Sequence, residues 1–178
     1  MADRTVFLTL KGLKRRVITA VCALYGYDRE LLDVDANERS ITHKLAEHLQ
    51  CEFPKWNVDC EYNRKGYDPK RLSLKFDSVN PDDTEAKTVY PDIIVHQRMS
   101  PKNLLIIEVK KANGRDDTKD VEKLRAFIKE PQYKYQYGLL LKLNRSGCAE
   151  AKLYQNGSCR TSWTEDIQMA LKELGYGG

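Results

Sequence analysis

The stretch that most constrains this chain is Leu104-Leu105-Ile106-Ile107, followed by Glu108, Val109 and Lys110. Successive side chains of a strand point to opposite faces. A strand that is apolar at every position must be covered on both faces, which calls for a sheet between layers of helices. The same alternation puts Glu108 and Lys110 on one face and Val109 on the other. Two opposite charges closing an apolar run lie at the rim of a core, where burial is costly unless they pair or bind something. A rim salt bridge and a binding site both satisfy that demand.

The rest of the chain supplies the layers. Leu13, Val17, Val21 and Leu24 predict a helix over 10–25, and Ile41, Leu45 and Leu49 a second over 37–50, with Asp35 or Asn37 as its cap. A short strand is expected over 57–62. Residues 63–88 are polar and broken by Gly66, Pro69 and Pro81, so they are an insertion, a long loop or both, with Leu72, Leu74 and Phe76 alternating as a strand would. Strands over 89–96 and 103–110 are joined by Met99-Ser100-Pro101-Lys102, which suits a hairpin. A helix over 118–129 stops before Pro131. A buried strand over 137–143, an edge strand over 151–155 and a terminal helix over 163–174 complete a mixed α/β chain, read as one domain, 1–178.

Composition narrows the partners. A net charge of +4 permits a nucleic-acid partner only through a local basic patch. Five cysteines, an odd number without any Cys-x-x-Cys, are read as reduced thiols in a cytoplasmic protein. The opening residues are read as carrying no secretory leader, and no run approaches the roughly 18 apolar residues of a membrane span.

Asp92 gives the rim charges a chemical context. It follows Pro91 at the start of the strand before Glu108, and a hairpin brings the two carboxylates to the same end. Neighbouring carboxylates repel, and a hard divalent cation with oxygen ligands relieves the repulsion. Mg²⁺ suits such a site, and the Val109 carbonyl can add an oxygen. Lys110 then lies where it can orient or help deprotonate the nucleophile, or stabilise developing phosphate charge. Glu38 precedes Ile41 by three residues and faces inward on the same stripe; with Asp35 as cap it is equally the glutamate of a capping box. Lys111 and Arg115 leave the charged strand directly and are the expected phosphate contacts.

The order Pro91-Asp92, sixteen further residues to Glu108, then Glu108-Val109-Lys110 resembles the PD-(D/E)XK nuclease superfamily, the restriction-endonuclease-like fold. Its core of helix, three strands, helix and strand corresponds to residues 37–143, leaving extra helices at both ends. Its helix glutamate corresponds to Glu38 in Asn37-Glu38-Arg39-Ser40. The segments Glu38-Arg39-Ser40-Ile41-Thr42-His43, Asp59-Cys60-Glu61-Tyr62-Asn63 and Tyr90-Pro91-Asp92-Ile93-Ile94-Val95-His96 further resemble a group of small bacterial and phage proteins ascribed this fold. The resemblance implies Mg²⁺-dependent phosphodiester cleavage, with Mn²⁺ able to substitute. It implies Glu38, Asp92, Glu108 and Lys110 as catalytic residues and Asp92, Glu108, Val109 and Glu38 around the metal. DNA is favoured over RNA, with a homodimer or a partner protein possible. The contrasting expectation is a nucleic-acid-binding or assembly subunit that keeps the fold and does not cut.

Overall fold

A computed structural model describes residues 8–62, 64–65, 68–69, 90–113 and 116–176. The elements are α1 (Leu10–Tyr27), α2 (Arg29–Asp33), α3 (Glu38–Glu52), β1 (Asn57–Cys60), β2 (Arg64–Lys65), β3 (Asp68–Pro69), β4 (Ile93–His96), β5 (Asn103–Lys111), α4 (Thr118–Lys129), β6 (Tyr137–Asn144), β7 (Gly147–Gln155), β8 (Ser158–Arg160) and α5 (Trp163–Glu173). The order helix, strand, hairpin, helix, strand expected over 37–143 is present as α3, β1, β4–β5, α4 and β6. The alternation at Leu72, Leu74 and Phe76 lies outside the described residues. No described helix is long and apolar enough to cross a membrane.

Six strands form one mixed sheet in the order β1-β4-β5-β6-β7-β8, and β2 and β3 form a small separate hairpin. β4 and β5 are antiparallel, with Ile93 opposite Ile107, and β5 and β6 are parallel, with Glu108 opposite Leu140. A parallel pair needs a crossover, and α4 is that crossover.

The double covering expected of β5 is observed. Leu105, Ile107 and Val109 face α1, α3 and α5, in a core with Leu13, Val17, Leu45, Leu49 and Ile167. Ile106 faces the other way, with Ile94 and Leu140, onto Leu124 and Phe127 of α4 and onto Tyr133 and Tyr135. Each such side chain, fully removed from water, contributes roughly 1.5–3 kcal/mol. The Phe127 ring meets Tyr133 at 5.1 Å and Tyr135 edge-on at 5.9 Å, which anchors the C-terminal half of α4.

Three local expectations are corrected. Residues 151–155 are not an edge strand: they belong to β7, which lies between β6 and β8. The cause is Asn156-Gly157, both at positive φ (47° and 80°), the conformation of a tight hairpin turn. The Asp35 capping box is absent, because Asn37 caps α3 by accepting from the Ser40 N–H at 2.9 Å while Asp35 takes a left-handed φ of 52°. Glu38 therefore opens the helix, with its side chain turned to the end of β5. The first strand ends at Cys60, and Glu61 leaves it with a φ of 47°.

Gly138 governs how closely α4 approaches the sheet. A Cβ there would meet Ile128 Cδ1 at 3.0 Å and Leu124 Cβ at 3.4 Å. Gly138→Ala is expected to destabilise the fold by about 1–3 kcal/mol through overpacking. Urea unfolding would show a lower midpoint at an unchanged slope; an unchanged midpoint would mean that the helix rides over the methyl group without cost.

Candidate functional site

Strand register creates the site. Ile93 pairs with Ile107 and Ile94 with Ile106, so Pro91 falls opposite Val109. Proline has no N–H, so it cannot donate to the Val109 carbonyl as a ladder partner would. β5 nevertheless continues to Lys111, and two carboxylates replace the missing strand. Asp92 Oδ2 accepts from the Val109 N–H at 2.8 Å, and Glu38 Oε2 lies 3.4 Å from the Lys111 nitrogen. A strand residue turns its C=O to the same side as its N–H, so the Val109 carbonyl faces the Asp92 side of the strand.

On the α4 face, Glu108 is completely buried. Its Oε2 forms an ion pair with the Lys123 ammonium, while Oε1 has no hydrogen-bond partner among the described residues. Lys123 also donates to the Tyr90 carbonyl at 3.3 Å and lies 3.9 Å from Asp120. Lys110 spans the end of the sheet, with its Nζ 3.2 Å from Glu38 Oε1 on α3 and 3.5 Å from Asp120 Oδ2 on α4. Four carboxyl groups, those of Glu38, Asp92, Glu108 and Asp120, thus stand against two ammonium groups, those of Lys110 and Lys123.

Proton affinities reflect burial first and the neighbouring charges second. Burial pushes the Glu108 carboxyl well above its ordinary value, and the Asp92 charge pushes it further against the opposing pull of Lys123. Burial also raises Asp92, outweighing the Val109 N–H and the charges of Lys123 and Lys110. Burial works to lower Lys110, but the carboxylates of Asp120, Glu38 and Asp92 prevail and hold it above the ordinary lysine value, so it is a cation at neutral pH.

A cleft of about 360 Å³ opens on this network, lined by Glu38, Arg39, Thr42, Cys60, Glu61 and Asp92. Arg39, the one cationic lining residue among the described residues, is exposed and rests 3.1 Å from Glu61. Glu108 does not line the cleft. Among the described residues, no three His, Cys, Asp or Glu side chains come together as a ready-made metal cluster.

The structure thus gathers Glu38, Asp92, Glu108, Val109 and Lys110 at one end of β5. Lys111 is placed differently from expectation, since its ammonium is tied to Asp35 Oδ1 at 2.6 Å and to the Asp35 and Ala36 carbonyls at 3.2 Å. It clamps the loop before α3, and so helps to place Glu38. Arg115 lies outside the described residues. Asp59 does not line the cleft; it accepts from buried His96 at 2.8 Å and from exposed Arg98 at 2.9 Å, forming a separate polar cluster. All five cysteines are free.

Asp120 and Lys123 are not among the site residues expected from the sequence. The signal that identifies them is helical spacing: Asp120 precedes Leu124 by four residues and Lys123 precedes Phe127 by four, so both share the buried stripe. No protein-family model, curated protein or solved structure matches the chain.

The raised Glu108 carboxyl has a consequence for stability. The folded chain holds this proton more tightly than the unfolded chain. Its favourable contribution is therefore full below the ordinary glutamate value and is lost as pH rises through the raised one. Glu108→Gln removes the titration. In EDTA, the variant is expected to match the unaltered chain in acid and to be more stable at neutral pH, read by urea unfolding. A stability loss at every pH would instead identify the Glu108–Lys123 pair as a net stabiliser.

Proposed function

We propose that the chain is a Mg²⁺-dependent nuclease that hydrolyses phosphodiester bonds in DNA, acting in the cytoplasm, on a restriction-endonuclease-like core. The observation that carries this reading is the pair of neighbouring carboxyl groups, Asp92 and Glu108, in a site where four carboxyl groups outnumber two ammonium groups beside an open cleft. Buried carboxyls that stand side by side, and whose ionisation burial and mutual repulsion oppose, are groups that a divalent cation relieves.

The donor set fits a hard cation. Asp92, the orphaned Glu108 Oε1 and the Val109 carbonyl are all oxygens on one strand end. Bound there, Mg²⁺ would supply an activated water and neutralise phosphate charge. Glu38, expected among the metal's neighbours, instead holds Lys110 and the end of β5 in place. Lys110 is a proton donor and fixed positive charge rather than a base, suited to a phosphate oxygen or the attacking water. Arg39, the cation of the cleft wall, takes the phosphate-contact role expected of Lys111, by exchanging Glu61 for the substrate backbone.

One observation favours the second reading, a nucleic-acid-binding or assembly subunit that does not cut: Glu108 is sealed from the cleft with Lys123 against it.

The deciding assay incubates supercoiled plasmid, linear duplex, single-stranded DNA and RNA with Mg²⁺ or Mn²⁺. Metal-dependent cutting is expected, reduced about 10²–10³-fold or more by Asp92→Ala and by Lys110→Ala. Cutting that survives both substitutions, or that persists in EDTA, would refute the assignment of this site. Binding of nucleic acid without any cutting would establish the second reading.

A further inference from the structure

The Glu108–Lys123 contact raises a question of access. A cation shared by Asp92 and Glu108 needs the Glu108 carboxylate, yet that carboxylate is wholly buried and one of its oxygens already faces an ammonium group. Lys123 is itself only 15% exposed, and it bridges Glu108, the Tyr90 carbonyl and the neighbourhood of Asp120. An ammonium group and a divalent cation answer the same electrostatic need at Glu108, and both cannot occupy the same side of one carboxylate.

We propose that Lys123 is an internal counter-cation that holds Glu108 in the metal-free protein and is exchanged for the divalent ion when that ion binds. The inference rests on the metal-dependent reading of the site and adds to it a specific residue and an order of events. Lys123 withdraws from Glu108, Asp120 retains it as the alternative partner on the next turn of the same helix, and the freed carboxylate turns its oxygens to the incoming cation. Lys123 is thereby a positioning residue, which holds the buried carboxyl of Glu108 in place until the metal arrives. Tyr90 and Pro91 lead directly into Asp92, so the hydrogen bond to the Tyr90 carbonyl links α4 to the segment that carries the other carboxylate. Release of Lys123 loosens that link at the same moment.

The exchange has a thermodynamic signature. A binding-competent state that is a minor population, about 1–10%, weakens apparent affinity by the inverse of that fraction. Removing the lysine removes this handicap. Lys123→Met and Lys123→Gln are therefore expected to bind Mn²⁺ about tenfold or more tightly than the unaltered chain in titration calorimetry. Their melting temperatures without metal should be lower, because Glu108 has lost its counter-charge, and the rise on adding Mn²⁺ should be larger. Glutamine can still hydrogen-bond Glu108, so one variant retains a partner for the buried carboxylate if the other fails to fold.

A measurement on the unaltered chain needs no stable variant. With lysine ¹³C-labelled at Cε, the Lys123 signal, identified by its absence from Lys123→Arg, should move towards the position of exposed lysines as Mg²⁺ is added. Mg²⁺ binding without any movement of that signal overturns the exchange. Equal or weaker Mn²⁺ affinity in both neutral variants overturns it too, and either result leaves metal binding itself intact. Absence of Mn²⁺ binding in the unaltered chain, or binding unaffected by Asp92→Ala, rejects the metal site and the exchange together.

Discussion

The burial of the Glu108 carboxylate is the interaction on which this end of the molecule depends. β5 is driven to the centre of the sheet by its aliphatic run, and its alternation then delivers a glutamate to the α4 face with no water to receive it. An ionised carboxylate in that position demands a cation, because desolvation of an unpaired charge costs several kcal/mol. Lys123 meets that demand from α4, and Asp120 follows on the same helical stripe to hold both lysines. The apolar packing and the charged network are thus two results of one strand crossing the whole core.

A second constraint comes from unequal strand lengths. β4 begins at Ile93 whereas β5 runs on to Lys111, so the last N–H groups of β5 need partners from outside the ladder. Asp92 and Glu38 provide them. These carboxylates are therefore oriented by backbone hydrogen bonds before any ligand is considered. Orientation by the main chain is more exact than orientation by surface ion pairs, which are worth little and wander. Lys111, tied to Asp35, completes the frame by fixing the loop that leads into α3.

Much of this was readable from residues alone, for identifiable reasons. The helix over 118–129 agrees with α4 to the residue because its apolar stripe is flanked by Pro131, and β5 is recognised from its uninterrupted run. α2 is only five residues long, too short to show a period, and it escaped notice. β8 is only three residues long and shows no alternation of its own; the Asn156-Gly157 turn before it is what marks the hairpin. At the site, Asp92, Glu108 and Lys110 follow from strand alternation and the hairpin, and Glu38 from its place on the helical stripe of α3. Asp120 and Lys123 required the further step of asking which charged residues of α4 face inward. Lys111 is the instructive departure: proximity to the charged strand suggested a ligand contact, but strand alternation points it away from Lys110, towards the α2–α3 loop.

The two halves of α4 are held by different physics, and this bears on how the site can respond to a cation. Its C-terminal half is packed on aromatic rings and pressed against Gly138, contacts that are dense and lose energy steeply with displacement. Its N-terminal half begins at Asp117 without a side-chain cap and is held by ion pairs: Asp117 with Lys142 at 3.1 Å, Asp120 with Lys110, and Lys123 with Glu108. Ionic contacts can be exchanged for other ionic contacts at little net cost, whereas apolar packing cannot. Charge rearrangement at Glu108 is therefore confined to the first turns of the helix while the remainder stays anchored. A long lysine that changes partners from Glu108 to Asp120 moves within those turns and leaves the sheet, the core and the carboxylates fixed by β5 undisturbed.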